Sequence, residues 1–348
     1  MNDEYLNPTS SESVSPSAPV EPSTYDRLLS VVVVTYNSGS VIAPALLSVQ
    51  SRLPGAEIVV VDNGSTDETI EIVRQHVGVR LLTSDHNVGF GAAVNMGVRS
   101  VEAPLVLAMN PDVRILAADL SRIAQLPKKG SVGLMGCATP GSTSVAAPMW
   151  PWRFELGWAL FTWFLLPKEA TLTRPRARKG KAHWIGGAAF IIARDEFLGI
   201  GGFDEQIFLY YEDFDLARRY TSRGYQIDES GLIEVQHMGR SSSPRHEEFL
   251  MTCALLSLIQ TTATWNRGEE ARRAARLTVI SLRTIEAVGY AMRSLPVVGR
   301  RARRKSCTAG SVREALSGNT GAGEWGPAYR DALTAFRSGR MRRRTASE

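Results

Sequence analysis

The chemistry this sequence can perform rests on a few carboxylates and one histidine. Residues 107–113 read LAMNPDV, a hydrophobic run that stops on an Asn-Pro-Asp turn and leaves one carboxylate, Asp112, where a buried strand runs out. Pro111 fixes φ and ends the strand, so backbone chemistry alone explains the turn. A metal site built on Asp112 needs partners from elsewhere in the chain. Residues 210–219, YYEDFDLARR, offer three further carboxylates, Glu212, Asp213 and Asp215. An ionised carboxylate can take the proton of an attacking hydroxyl. Acids are also simply favoured in the first turn of a helix, and Asp215 stands four residues before Arg219, a salt-bridge spacing. The neighbouring Phe208, Tyr210, Tyr211 and Phe214 make this stretch partly apolar, and such surroundings raise a carboxylate's proton affinity. The histidine is His237, in EVQHMGRSS, followed by Arg240 and Ser241 to Ser243.

The elements that must position these groups follow from the hydrophobic pattern. LLSVVVVTYN from Leu28 is a β-branched run closed by turn formers, the pattern of a strand buried on both faces. VIAPALLSVQSR has helical spacing, and AEIVVVDNGS is a second buried strand breaking into a polar turn. STDETIEIVRQH predicts a helix with Ser65 or Thr66 as N-cap and Glu68 available for a capping box. VRLLTS is a third strand, NVGFGAAVNMGVRS a glycine-broken turn entering a helix, and PLVLAMNPDV a fourth strand. Strand and helix alternating at this spacing predict a doubly wound, mostly parallel α/β sheet with helices on both faces.

Ligands in such sheets sit at the carboxyl ends of the strands. Every polar turn falls at such an end: Thr35-Tyr36-Asn37, Asp62-Asn63-Gly64-Ser65 and Asn110-Pro111-Asp112. That convergence predicts a nucleotide-type ligand. A dinucleotide fingerprint is excluded, because Tyr36 and Asn37 stand in the first turn where GxGxxG must bring glycine backbone against a pyrophosphate. Gly89, Gly91 and Gly97 follow the third strand at the wrong spacing, and no GxxxxGK[ST] loop is present.

The 348 residues, 44% hydrophobic, suit a packed core rather than a disordered chain. Cys137, Cys253 and Cys307 are scattered, with no CxxC or histidine company, which suggests neither a zinc site nor a disulfide framework and fits a reducing cytoplasm. Residues 1–25, rich in Ser and Pro, lack a basic start and an apolar core, so they read as a disordered tail and not as a secretory signal. No stretch reaches the roughly 18 uncharged apolar residues of a membrane span. The net charge of +5 is unevenly placed: residues 267–348 carry 18 Lys/Arg against 7 Asp/Glu, leaving the first 266 residues at −6.

Taken together, VVVVTYN, VVVDNGSTDET, NVGFGAAVNMG, NPDV, WIGGAAFIIARDEFLGIGGFDEQIFLYYEDFDLARR and QHMGRSS, in this order over about residues 28–243, resemble glycosyltransferase family 2 enzymes of GT-A fold. The resemblance is strongest to the bacterial branch that uses dTDP-rhamnose. The QxxRW signature of processive members is absent, which argues against a polymerising synthase. Asn110 replaces the first aspartate of the usual DxD, a variant frequent in the rhamnosyltransferase-like branch.

The resemblance implies an inverting hexosyltransferase of cell-envelope polysaccharide synthesis, with one base and in-line displacement. The departing diphosphate must be stabilised by a divalent cation, Mg²⁺ or Mn²⁺. It assigns the cation to Asp112 and His237, the base to Asp213, and an acceptor-orienting role to Glu212. Thr35, Tyr36 and Asn37 would line the nucleotide base, Asp62 with Asn63 would accept from the pyrimidine or ribose, and Asn87, Gly89 and Asn95 would contact the nucleotide or shape its loop. Trp184, Gly186 and Gly187 would border donor sugar and acceptor, where Gly186 and Gly187 otherwise read as a close backbone approach. Arg240 and Ser241 to Ser243 would form an anion-binding loop.

The implied organisation is a catalytic domain over 26–245, with a nucleotide-binding half (26–135) and an acceptor half (136–245), then an amphipathic helical extension over 246–305 and a basic tail over 306–348. Trp150, Trp152, Trp158 and Trp163 in residues 148–167, the basic run at 174–181 and RRARRK at 300–305 suit docking on the anionic inner membrane surface. The acceptor would then be a glycan or a polyprenyl-diphosphate-linked sugar. The helical extension also offers a surface for homo-oligomer formation. The alternatives are a UDP-linked donor, or a non-catalytic nucleotide-sugar or nucleic-acid-binding protein. Nucleic acid calls for aromatics interleaved with basic residues, and the tail from 299 has only Trp325, Tyr329 and Phe336.

Overall fold

The computed structural model describes residues 28–124, 126, 132–138, 146–148, 183–228, 231–238, 257 and 261. Its strands are β1 (Leu29–Thr35), β2 (Glu57–Asp62), β3 (Val79–Thr83), β4 (Leu105–Met109), β5 (Val113–Ala118), β6 (Val132–Gly136), β7 (Ala146–Pro148), β8 (His183–Ile185), β9 (Ala189–Ala193), β10 (Gln226–Asp228) and β11 (Ile233–His237). The helices are α1 (Gly39–Arg52), α2 (Thr69–Arg74), α3 (Phe90–Arg99), α4 (Leu120–Ala124), α5 (Arg194–Gly199) and α6 (Glu212–Ser222).

Seven strands form one sheet in the order β10-β6-β9-β4-β1-β2-β3. Strands β3, β2, β1 and β4 run parallel to one another, as do β6 and β10. β9 alone runs antiparallel to its neighbours β4 and β6. The pattern of β1 explains its central place. Its valines are buried on both faces, with Val31 and Val33 packing toward Ile42, Leu46 and Val49 of α1, and Val32 and Val34 toward Ala93, Val94 and Val98 of α3. Each such valine, removed from water, contributes about 1.5–3 kcal/mol. Helices therefore cover both faces, as the alternating pattern predicts.

α3 lies unusually close to the sheet because Gly97 has no side chain. A Cβ there would collide with Val32 Cγ1 and sit 3.2 Å from Val61 Cγ2. Helix propensity favours alanine over glycine by about 1 kcal/mol, but overpacking a locked core costs about 1–3 kcal/mol. Gly97→Ala is therefore expected to lower the urea midpoint with an unchanged slope. A midpoint at or above wild type would mean that α3 shifts freely and the close approach is not required.

Two sequence expectations change. The fourth strand ends at Met109, and after the Asn110-Pro111-Asp112 turn the chain continues as β5, which leaves the main sheet to pair antiparallel with β11. Pro111 lacks the N–H that would continue the ladder, so the turn redirects the chain instead of ending the strand in a loop. The helix expected from Ser65 or Thr66 begins at Thr69, without the capping box. Its would-be caps are engaged elsewhere. Ser65 Oγ accepts from Asn37 N–H at 2.8 Å and the Thr66 hydroxyl donates to Asn37 Oδ1 at 3.4 Å, while the next residue, Asp67, accepts from Gly39 N–H at 3.1 Å. These bonds tie the loop after β2 to the loop after β1.

Candidate active site

The carboxyl ends of β1 to β4 meet at one edge of the sheet. Thr35 is in register with Asp62, and Asp62 with Thr83. β9 starts at that same edge, because it is antiparallel and its first residue, Ala189, pairs with Met109. Asn110 N–H donates to the Ala188 carbonyl at 2.9 Å. The Gly186-Gly187 turn that precedes β9 thus lies beside the Asn-Pro-Asp turn.

At the end of β1 and β2 two polar side chains are buried without an answer. Asp62 is fully buried, and its Oδ2 accepts from Ser65 N–H at 2.9 Å. Its Oδ1 and the Thr35 hydroxyl have no hydrogen-bond partner among the described residues. Such groups cost about 1–3 kcal/mol each unless something pairs with them. Tyr36 projects outward at 48% exposure, and Asn37 (φ 48°) accepts from Thr66 N–H at 2.8 Å.

The expected asparagines act on loops. Asn63 donates to Asn87 Oδ1 at 2.9 Å and to the Gly89 carbonyl at 3.2 Å, and accepts from Val88 N–H at 2.9 Å. Asn87 in turn accepts from Gly89 N–H at 3.0 Å. Together they pin the loop after β3 onto β2. Asn95 is buried within α3; its amide donates to the Phe203 carbonyl and to Glu205 and accepts from Phe203 N–H. These bonds tie α3 to residues 203–205.

Asp112 and His237 come together across the β5/β11 ladder. His237 is in register with Val113, Met238 N–H donates to the Asp112 carbonyl at 3.1 Å, and His237 Nε2 lies 3.3 Å from Asp112 Oδ1. The Asp112 side chain is 10% exposed and that of His237 38%, so the pair opens to solvent on the imidazole side. The hydrogen bond that His237 Nε2–H donates to Asp112 raises the His237 pKa against a smaller opposing effect of burial, and the carboxylate charge adds to the rise. Among the described residues no group of three or more His, Cys, Asp or Glu converges to hold a metal ion.

The second acidic group stands at the start of α6. Gly187 N–H donates to Asp213 Oδ2 at 2.9 Å, and Phe214 N–H to Asp213 Oδ1 at 2.8 Å. Asp213 is half-buried. Glu212 beside it is 5% exposed, and its Oε2 has no hydrogen-bond partner among the described residues. Gly187 faces both groups, since a Cβ there would lie 3.6 Å from Asp213 Oδ2 and 3.7 Å from Glu212 Oε1. Asp215 pairs with Arg219 at 2.8 Å, as the spacing predicts. Arg219 also donates to the Ile200 and Gly202 carbonyls, so it ties α6 to the turn after α5.

Burial, helped by the Asp213 charge, pushes the Glu212 carboxyl well above its ordinary value of 4.5. A folded-state pKa above the unfolded one means that the native state holds the extra proton, so stability falls as pH rises from the ordinary carboxyl range through the raised value. Glu212→Gln should flatten that decline and melt higher than wild type near pH 8. Identical pH slopes for the two proteins in thermal melts would show that Glu212 ionises freely in the fold.

The backbone before this pair carries a feature that no sequence signal announced. Among the described residues the non-glycines with positive φ are Asn37, Tyr210 (66°) and Tyr211 (65°), all at this edge. Left-handed backbone costs about 1–3 kcal/mol per side-chain-bearing residue, and it persists only where surroundings enforce it. The Phe208 carbonyl accepts from Phe90 N–H at 3.0 Å. Gly89 permits the approach, because a Cβ there would meet the Phe208 backbone at 2.5 Å. The side chain of Trp184, Arg240, Ser241 to Ser243, the tryptophan-rich and basic segments and the C-terminal extension lie outside the described residues, apart from Ser257 and Thr261. Among the described residues no helix is long and apolar enough to cross a membrane.

Comparison with known proteins finds a match to the model of glycosyl transferase family 2 over residues 30–196. The N-acetylglucosaminyl-diphospho-decaprenol L-rhamnosyltransferase of Mycobacterium tuberculosis is 30% identical over 244 residues, which cover 63% of this chain and 78% of that protein. A low-salt glycan biosynthesis hexosyltransferase of Haloferax volcanii is 26% identical over 227 residues, covering 60% and 66%. Among solved structures, GalNAc-T7 with UDP, GalNAc and Mn²⁺ aligns with a TM-score of 0.50 at 19% identity, over 68% of this chain and 48% of that one. That likeness is one of fold.

Proposed function

The chain belongs to glycosyl transferase family 2, and from that premise we propose that it is an inverting glycosyltransferase that moves rhamnose from dTDP-rhamnose to a hydroxyl of a polyprenyl-diphosphate-linked sugar. The observation that carries this reading is the shared edge: the Thr35 hydroxyl and Asp62 Oδ1, which no described residue pairs, the Asp112–His237 pair and the Glu212–Asp213 pair border one sheet end. Asp62 Oδ1 is an acceptor awaiting a donor and the Thr35 hydroxyl can serve as either, which suits the imide edge of thymine or uracil. Tyr36, exposed beside them, offers a face for the base.

The attacking hydroxyl must lose a proton as its oxygen bonds to the anomeric carbon and the diphosphate leaves. Asp213 receives that proton. Two backbone N–H groups fix its carboxylate while leaving it half-exposed. Two adjacent carboxyls do not both ionise readily, and Glu212, the more buried of the two and the one whose proton affinity burial raises, favours leaving the charge on Asp213 while it orients the acceptor. A single base with in-line attack inverts the anomeric centre.

Asp112 and His237 fit a divalent cation. Two adjacent ligands of an octahedral ion at about 2.1 Å are about 3 Å apart, close to the 3.3 Å between His237 Nε2 and Asp112 Oδ1. Among the described residues these two side chains would hold the cation, beside the place where the donor's diphosphate would lie. When bound, Mg²⁺ or Mn²⁺ neutralises the charge developing on the diphosphate. The tryptophan-rich and basic segments at 148–181 and 300–305 extend the proposal to peripheral docking on the cytoplasmic face of the membrane, where a lipid-linked acceptor presents its sugar.

The deciding experiment offers dTDP-rhamnose, UDP-hexoses and a polyprenyl-diphosphate N-acetylglucosamine acceptor to the purified chain with Mg²⁺ or Mn²⁺. Rhamnose transfer with an inverted anomeric centre is expected. Consumption of a UDP-hexose instead would replace the donor, and consumption of no donor would remove the catalytic reading.

A further inference from the structure

The turn that presents Glu212 and Asp213 is held from two sides. On one side the Phe208 carbonyl accepts from Phe90 at the start of α3. On the other, the next carbonyl along the chain, that of Leu209, accepts from the Ser257 hydroxyl at 2.7 Å. Ser257 is 1% exposed and Thr261 2%. Both are helical and buried. Only Tyr210 and Tyr211 separate Leu209 from Glu212, and both are left-handed. Two successive side-chain-bearing residues in that region return to ordinary backbone angles unless the chain on either side is fixed. Downstream, the geometry is fixed by α6 and by the bond from Gly187 to Asp213. Upstream, it is fixed at the carbonyls of Phe208 and Leu209.

We infer that Ser257 is a positioning residue for the catalytic carboxylates: by holding the Leu209 carbonyl it keeps the Tyr210-Tyr211 step left-handed and so aims Asp213 across Gly187. Like Glu212, Asp213 and His237, Ser257 stands beyond residues 30–196, the span matched by the family model. The part of the chain that follows the matched domain thereby contributes to the geometry of the reaction. The inference rests on the reading of Asp213 as base.

The test is steady-state transfer by the full chain, with nucleotide binding and thermal melts measured beside it. Ser257→Ala should lower kcat about tenfold, with donor KM within about twofold of wild type. Glycine adopts positive φ at no steric cost, so the same change made in a Tyr210→Gly background should cost clearly less. A residue that only stabilised packing would show the same loss in both backgrounds. Wild-type kcat in Ser257→Ala, or an equal loss in the two backgrounds, would overturn the inference. Should Ser257→Ala fail to fold, Ser257→Cys decides, because it keeps the volume with a weaker donor; a reduced kcat is expected, and an unchanged one overturns the inference. Asp213→Asn is assayed in parallel. If it turns over normally, the base reading fails, whereas an inactive Asp213→Asn beside a fully active Ser257→Ala sinks the Ser257 inference alone.

Discussion

Asp213→Asn should reduce transfer by about 10³-fold while nucleotide affinity stays near wild type, the magnitude expected when a positioned general base is removed. The substitution is nearly isosteric, and the amide oxygen can still accept one of the two backbone bonds, from Gly187 or from Phe214. What is lost is the acceptor for the hydroxyl proton. The amide nitrogen also presents N–H groups toward one of two backbone donors, so a small loss of stability accompanies the loss of rate. Single-turnover rates report the chemical step, and calorimetric titration with nucleotide reports the intact donor half. Near-normal turnover would remove Asp213 as the base. The neighbouring Glu212, which faces the same glycine, would then have to be the ionised member of the pair, in conflict with its raised proton affinity.

Asp112→Ala should lower metal-dependent activity by about 10²–10³-fold, because a cation that stabilises a leaving diphosphate supplies several kcal/mol at the transition state. Binding of nucleotide should lose its dependence on Mg²⁺ or Mn²⁺. The pH response gives an independent reading. A histidine ligates only when neutral, and in the metal-free protein the hydrogen bond that His237 donates to Asp112 raises the His237 pKa. Wild-type metal affinity should therefore weaken as pH falls through that raised value. In Asp112→Ala the cause of the rise is gone, so the His237 titration followed by NMR should move down. Unchanged metal dependence in the variant would place the cation elsewhere, whatever His237 does.

Much of the parallel half was legible because its signals are local and redundant. Runs such as LSVVVVT and EIVVVD bury both faces, and each ends in side chains that make turns. The reading went astray where a local signal competed with a distant partner. Ser65, Asp67 and Glu68 have the composition of a helix start, yet Ser65 and Asp67 answer backbone N–H groups of Asn37 and Gly39, and those partners are invisible in a window of one helix. Asn63, Asn87 and Asn95 were legible only as polar residues in or near the turns. The bonds by which they fasten loops to β2 and to residues 203–205 depend on which strand ends meet.

The sequence by itself determined the kind of fold, the sheet edge at which polar turns gather and the residue types available there. Hydrophobic period, turn chemistry and motif order are properties of short segments, and burial of the apolar set allows few other arrangements. Only the tertiary structure decided how those residues are paired. The antiparallel β5/β11 ladder brings Asp112 to His237, residues 125 apart in sequence, and the start of β9 sets Gly187 against Asp213. It also decided that Glu212 is the buried partner and that two tyrosines bear left-handed backbone to present the pair. Burial and strain are imposed by surroundings that arrive from Gly89, Gly187 and Ser257. No stretch of ten residues contains that information.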